Sequence, residues 1–147
     1  MKNNTIKKAY TEWLSADEMH RESKKWSSEL KFAKDEQKFL NMMIQDYTLD
    51  LIDVKIFDEV KRVLDSLSQA EKNLVEIFKK VQLHENQILI MVDEVDQIKM
   101  ENAYIETHAE LKKEIQGYFV DYKASKTKIF KIISNVMKKK KQKRLLS

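Results

Sequence analysis

The chain contains no proline and a single glycine, Gly117, among its 147 residues. Glycine and proline are the residues that most often end helices and form turns. A chain that nearly lacks both, and that is rich in lysine, glutamate, leucine, isoleucine and methionine, is typical of a few long helices. The sequence therefore predicts an all-α protein. Because helical bundles serve many functions, this fold class does not by itself predict an activity.

The composition excludes several classes of protein. The absence of cysteine excludes a disulfide framework, a thiolate metal site and a cysteine nucleophile. The longest strongly apolar run, Ile88–Val92, is far shorter than the roughly 20 residues that span a bilayer. The N-terminal residues lack the apolar segment of a secretory signal. We therefore expect a cytoplasmic protein with a single domain.

Charge is distributed unevenly along the chain, although the net charge is only +4. Residues 15–122 carry 23 acidic and 15 basic side chains, whereas ten lysines and arginines and no acidic residue follow Asp121. The sequence therefore predicts an acidic body with a basic C-terminal end.

The first long helix has a recognisable start. Ser15 and Glu18 have the spacing of a capping box, and Leu14 and Met19 have that of the matching hydrophobic staple. From Trp26 onward, steps of four and three residues define a heptad seam. Its members are Trp26, Leu30, Ala33, Gln37, Leu40, Ile44, Tyr47 and Leu51.

Two further seams follow and predict two more long helices. The second consists of Phe57, Val60, Leu64, Leu67, Glu71, Leu74, Phe78, Val81, Glu85, Ile88, Val92 and Val95. The third consists of Tyr104, His108, Leu111, Ile115, Tyr118, Tyr122, Ser125, Ile129, Ile132 and Val136. We expect burial of Trp26, Leu40, Ile44, Leu64, Leu74, Phe78, Ile115, Tyr122 and Ile129.

Breaks in the heptad phase predict turns at Tyr47–Asp50 and Asp93–Asn102. Three helices of similar length joined by tight turns predict a long antiparallel bundle, up-down-up, over residues 1–137. Residues 1–14 are predicted to form a short N-terminal helix or an extension of the first one. The alternative is a four-helix bundle, with a break at Gln82–Asn86 or at Gly117.

One buried polar layer is expected inside the bundle. Antiparallel alignment of the second and third seams brings Glu85 near His108, at the level of Trp13 and Tyr104. Such a layer sets the register of a coiled coil. As a functional alternative, it is a pH-sensitive or ligand-binding site. Gln37 and Glu71 occupy seam positions of the same kind.

The sequence predicts no metal and no cofactor. Di-iron bundles use a glutamate three residues before each histidine ligand, because this spacing points both ligands inward. None of the histidines, His20, His84 and His108, has a glutamate at that position. A cofactor-binding sensor bundle remains an alternative function.

Two surface features point to partners. Phe32, Phe39 and Met43 widen the apolar stripe of the first helix, which indicates either core burial or a self-association surface. The basic C-terminal tail, residues 138–147, has a lysine-rich run that matches polyanion binding. Its charged residues are Lys138, Lys139, Lys140, Lys141, Lys143 and Arg144.

From these features we predict a non-enzymatic interaction or assembly module with a protein partner or a second copy of itself. No nucleophile–base pair, phosphate-binding glycine loop or metal-ligand cluster is recognisable in the sequence, and no small-molecule substrate is expected. The alternative is a sequence-independent binder of nucleic acid or of an anionic membrane through the tail.

Overall fold

The computed structural model describes residues 15–47, 57–93 and 98–146. Every one of these residues except Ser15 and Tyr47 lies in an α-helix. The helices are α1 (Ala16–Asp46), α2 (Phe57–Asp93) and α3 (Ile98–Leu146). The all-α prediction is confirmed for the described part of the chain, and the three-helix version is the correct one.

The start of α1 shows the Ser15 side of the predicted capping box, whereas Leu14 of the predicted hydrophobic staple lies outside the described residues. The Ser15 hydroxyl accepts a hydrogen bond of 3.1 Å from the Glu18 backbone N–H, and the Ser15 carbonyl accepts one of 3.0 Å from the Met19 N–H. These bonds satisfy one of the free amide groups of the first turn and begin the helix ladder. The cap fixes the beginning of the helix that carries Glu22, a residue of the site described below.

The described residues separate into two compact units, and each of the three helices contributes one stretch to each unit. Unit 1 contains residues 15–31, 75–93 and 98–117, and unit 2 contains 32–47, 57–74 and 118–146. The heptad pattern alone gave no indication of this division, because each helix pattern passes through it without a change of phase.

In unit 1, α2 runs antiparallel to α3. His84 contacts His108 and, four residues earlier on α2, Lys80 bonds Glu114 at 2.9 Å. Glu22 of α1 contacts His108 as well, so all three helices meet at this level. The apolar cluster of this unit consists of Met19, Ile88 and Ile105, with Ala16 and Tyr104 packed against it.

In unit 2, α1 runs parallel to α3. Gln37 bonds Tyr118, and further along both helices Tyr47 contacts Lys140. Between α1 and α2, Asn41 donates a hydrogen bond to the Glu71 carboxylate. The buried apolar residues of this unit include Leu40, Ile44, Leu67, Leu74, Ile129 and Ile133. The up-down-up order is thus confirmed.

The seam predicted for α1 is confirmed from Trp26 to Ile44 and extends toward the N-terminus to Ser23 and Met19, both fully buried. Tyr47 is half-buried, and Leu51 lies outside the described residues. The seam predicted for α3 is confirmed in the main, but Ile105 and Ile133 are buried where Tyr104 and Ile132 were expected. Of the residues expected to be buried, Trp26, Leu40, Ile44, Leu74, Ile115, Tyr122 and Ile129 are buried.

The seam predicted for α2 is wrong at every second position. Leu64 is 37% exposed and Phe78 is half-buried, whereas the residue before each, Val63 and Ile77, is buried. The observed seam is Val63, Leu67, Ala70, Leu74, Ile77, Val81, His84 and Ile88. The helix is therefore rotated by roughly 50° from the expected orientation, half of the 100° between successive residues. This rotation takes the side chains of Glu71 and Glu85 out of the fully buried core.

The two breaks proposed for four helices do not occur. Residues Gln82–Asn86 lie inside α2, and Gly117 is an exposed residue inside α3. The predicted N-terminal helix lies outside the described residues, as do residues 48–50 of the first predicted turn and 94–97 of the second. The second turn was predicted too long, because α3 already begins at Ile98 and residues 98–102 are helical. None of the three helices, over the residues described, is long and apolar enough to cross a membrane.

Candidate functional site

The most unusual arrangement of side chains is a chain of three titratable groups inside unit 1, which we call the histidine layer. It consists of Glu22 from α1, His84 from α2 and His108 from α3. His84 Nε2 lies 2.9 Å from His108 Nδ1, and His108 Nε2 lies 2.9 Å from Glu22 Oε2. Each histidine is only 1% exposed, so both imidazole rings are part of the core.

The position of each hydrogen follows from these contacts. A carboxylate only accepts hydrogen bonds, so His108 Nε2–H is the donor to Glu22. A neutral imidazole carries one N–H, which leaves His108 Nδ1 as an acceptor for the Nε2–H of His84. By the same rule, His84 Nδ1 is a bare acceptor. It is buried, and no hydrogen-bond partner for it exists among the described residues.

The surroundings hold this chain in place. The Trp26 ring stacks on the His108 ring, with centroids 4.4 Å apart and the ring planes at 28°. The Lys112 ammonium lies 3.6 Å from the second oxygen of Glu22. The Glu22 carboxylate thus accepts the His108 hydrogen bond on one oxygen and faces the Lys112 ammonium with the other.

Burial determines the protonation of both histidines. Removal from water, and to a smaller extent the nearby His108, lower the pKa of His84 from 6.5 to about 4. Burial also lowers the pKa of His108, although the hydrogen bond and negative charge of Glu22 oppose the shift, while Lys112 adds to it. Both rings are therefore neutral at pH 7.

The polar layer predicted from the sequence shares one residue with the histidine layer. His108 is buried at the expected place, but its partners are His84 and Glu22 rather than Glu85. Glu85 is half-buried and accepts a 3.5 Å hydrogen bond from Ser27. Tyr104 packs on the Met19 cluster instead, and Trp13 lies outside the described residues.

The sequence did not predict His84 as a site residue because the register predicted for α2 differs from the observed one. One signal could have revealed it. The predicted register placed Glu71 and Glu85 in the core. A register shifted by one residue at every second seam position has Ala70 and His84 there instead, and leaves no charged side chain in the seam. Burial of unpaired carboxylates is costly, so the shifted register is the better one on physical grounds.

Unit 2 contains a second buried polar group, which we call the tyrosine layer, formed by Glu36, Gln37, Tyr118 and Tyr122. Gln37 donates a 2.6 Å hydrogen bond to the Tyr118 hydroxyl. Tyr122 donates one of 2.7 Å to Glu36, which also pairs with Lys126 at 3.0 Å. Burial raises the pKa of Tyr118 to about 12 and raises that of Tyr122 as well.

The C-terminal end of α3 forms one side of an open groove in unit 2, which we call the basic groove. It has a volume of about 600 Å³. The Lys140 ammonium lies 5.6 Å from the centre of the Tyr47 ring. The groove is lined by Tyr47, Ser134, Met137, Lys138, Lys140, Lys141 and Arg144.

The basic residues predicted as a tail are therefore helical, because α3 continues to Leu146. Four of the six line the basic groove, while Lys139 and Lys143 are exposed outside its lining. Val136 is the last buried residue of α3, so the side chains beyond it are presented to solvent.

The predicted self-association residues occupy the outer face of α1. Phe32 and Phe39 are 69% and 56% exposed, and Met43 is half-buried. Core burial is thereby excluded for the two phenylalanines. Self-association through this face stays a prediction.

The described residues contain no group of three or more histidine and carboxylate side chains placed to hold a metal ion. The chain matches no protein-family model, no curated protein and no solved structure. Function is therefore argued from the chemistry of the sites.

Proposed function

We infer that this protein is a non-enzymatic helical interaction module that binds the phosphates of nucleic acid through the basic groove. The observation that carries the proposal is the lining of this groove, which includes four cationic side chains and one aromatic ring. Ammonium and guanidinium groups are the side chains that bind phosphate oxygens. An aromatic ring adds a surface on which a base can stack.

The composition of the groove favours sequence-independent binding of a single strand. Lys138, Lys140 and Lys141 provide point charges, which hold phosphates without reading bases. Tyr47 supports stacking, and its ring already attracts the Lys140 ammonium. A base that takes this place on the ring would leave Lys140 beside the adjoining phosphate.

An anionic membrane is the rival ligand. Leu145 and Leu146 are 78% and 89% exposed at the end of the same helix, and apolar side chains next to lysines favour lipid surfaces. If the protein bound anionic vesicles and did not bind the oligonucleotide, the ligand of the groove would be a membrane rather than nucleic acid.

The test compares two variants with the same change of charge. The groove variant carries Lys138→Gln, Lys140→Gln, Lys141→Gln and Arg144→Gln. The control variant carries Lys34→Gln, Lys38→Gln, Lys61→Gln and Lys72→Gln, all exposed positions of unit 2. Binding of a fluorescent single-stranded oligonucleotide is titrated at several salt concentrations. Four phosphate contacts predict a log–log salt slope of about −3, at roughly −0.7 for each contact with a single strand.

We expect the groove variant to lose binding and the control variant to keep most of it. Equal losses would show that net charge rather than the groove is responsible. The change Tyr47→Ala should weaken oligonucleotide binding by about 1–3 kcal/mol and leave heparin binding nearly unchanged, because heparin has no bases.

Self-association is a second candidate, favoured by the exposure of Phe32 and Phe39 on one face of α1. Large exposed apolar surfaces mark interaction sites. Sedimentation equilibrium at micromolar concentration should detect a dimer or larger species that the double change Phe32→Ser and Phe39→Ser dissociates. A monomer at low and high salt would contradict this candidate.

A further inference from the structure

The histidine layer has room for two ring hydrogens and no place for a third. One hydrogen lies between His84 and His108, and the other lies between His108 and Glu22. A third hydrogen could lie on His84 Nδ1. Otherwise His84 Nε2 and His108 Nδ1, which face each other, would both carry a hydrogen. The first choice buries a donor for which the described residues offer no acceptor, and the second places two donors 2.9 Å apart.

Reversing the direction of the hydrogen bond between the two rings does not accommodate the third hydrogen. If His108 carried hydrogens on both nitrogens, its Nδ1–H would donate to His84 Nε2. The single hydrogen of His84 would then move to Nδ1, which is the buried nitrogen without a partner. Every arrangement of the third proton therefore replaces the bare Nδ1 acceptor of the neutral layer by a buried N–H without an acceptor, or opposes two donors, and in each case it also places a positive charge in the core.

We propose that the histidine layer makes unit 1 acid-labile, so that uptake of one proton by the His84–His108 pair opens its helix packing while unit 2 stays packed. The two rings lie on α2 and α3, and Glu22 and Trp26 of α1 contact His108, so the three helices must separate at this level before a protonated ring can be hydrated. The layer is thus a pH-sensitive switch within unit 1.

The charged groups that face the pair have opposing effects. Glu22 from α1 attracts a proton toward His108, and Lys112 from α3 repels it. On α2, the neighbouring Glu85 bonds Ser27 of α1. Burial outweighs the attraction of Glu22, since the pKa of both rings is lowered. Between about pH 6.5 and pH 4 the open state therefore binds more protons than the packed state, and acid favours opening.

The decisive variant is His84→Gln. A glutamine amide can donate to neutral His108 Nδ1, and after rotation its oxygen can accept from the Nδ1–H of protonated His108. Protonation of His108 then leaves no unsatisfied ring nitrogen. The control variant is His20→Gln, which removes the third histidine and retains the layer.

The main measurement is amide hydrogen exchange of the full-length protein across pH 4.5–7.5, expressed as protection factors corrected for intrinsic exchange. For the wild type and His20→Gln, we expect protection in residues 75–90 and 103–117 to fall roughly tenfold per pH unit below about pH 6. Protection in residues 57–74 and 118–136 should stay level over this range. For His84→Gln, unit 1 should also stay level. An equal loss of amide protection in both units at low pH would overturn the proposal. So would a loss of protection at low pH in unit 1 of the His84→Gln variant.

A second measurement on the wild type tests the proposal even if His84→Gln does not fold. Nitrogen-15 NMR of the imidazole rings should show both buried histidines neutral and protonated at Nε2 at pH 7. A fully protonated His84 ring in the folded state at pH 6 would contradict the proposal.

Discussion

Units 1 and 2 use the same three helices, and each buries one polar layer, but the chemistry of the layers differs. The histidine layer of unit 1 consists of groups that bind protons near neutral pH. The tyrosine layer of unit 2 consists of Gln37, which does not titrate, the Glu36 carboxylate, and two tyrosines whose pKa values burial raises above 10. Both layers supply hydrogen bonds that depend on alignment of the helices. By our proposal, mild acid changes this alignment through the histidine layer.

The largest expected effect should be equal in the two units. Leu111 in unit 1 and Leu74 in unit 2 are both almost fully buried. Leu111→Ala and Leu74→Ala should each lower the free energy of unfolding by about 2–5 kcal/mol, through lost burial and the remaining cavity. Urea unfolding at pH 7 measures this. A loss below about 1 kcal/mol at either site would mean that its seam is not packed in solution.

Mild acid should separate the units. The pKa of His84 is about 4 in the folded protein and 6.5 when unfolded, so its neutral form stabilises the fold fully above about pH 6.5. As the pH falls toward 4, this contribution is lost and amounts to roughly 3 kcal/mol. Urea unfolding of the wild type and of His84→Gln at a series of pH values measures it. Parallel pH curves for the two proteins would contradict the assignment to His84.

Alkali should act on the other layer. Burial raises the pKa of Tyr118 from 10.0 to about 12, so stability should fall as the pH rises through this range, because the unfolded chain then releases the proton first. At pH 7, Tyr118→Phe should cost about 1–3 kcal/mol, since it leaves the buried Gln37 amide without its acceptor. A wild-type protein whose stability is flat between pH 9.5 and 11.5 would contradict this.

The smallest effect concerns Gly117, the last residue of unit 1 on α3. A Cβ atom at this position would meet no heavy atom within 4 Å. Gly117→Ala should therefore raise the free energy of unfolding by about 1 kcal/mol, the difference in helix propensity. Thermal unfolding at pH 7 measures it, and a loss of stability would mean that another surface covers this position in solution.

Much of the fold could be predicted because its signals are local. The absence of proline is a property of the composition. The capping box at Ser15 and the seam of α1 each involve residues only a few positions apart. Local patterns could not orient α2, because Leu67, Leu74, Val81 and Ile88 belong to both registers. The two registers differ only at the alternate seam positions. The burial of Glu71 and Glu85 in the predicted register was the sequence feature that argued against it.

The candidate sites divide in the same way. The lysines of the basic groove are adjacent in sequence and were identified from it, whereas Tyr47, more than 85 residues from them along the chain, enters the groove through the packing of unit 2. His108 was recognised from its seam position, but not its bonds to His84 and Glu22, which come from two other helices.

The sequence alone determined that the chain forms three long helices, where α1 begins, and that α3 ends in a basic run. These properties depend on local propensity, capping and residue type. Tertiary packing alone decided the rotation of α2, the partners of His108 and the pairing of Gln37 with Tyr118. Such contacts depend on how each helix turns about its axis and aligns with its neighbours, and one residue of rotation or shift exchanges the buried side chains.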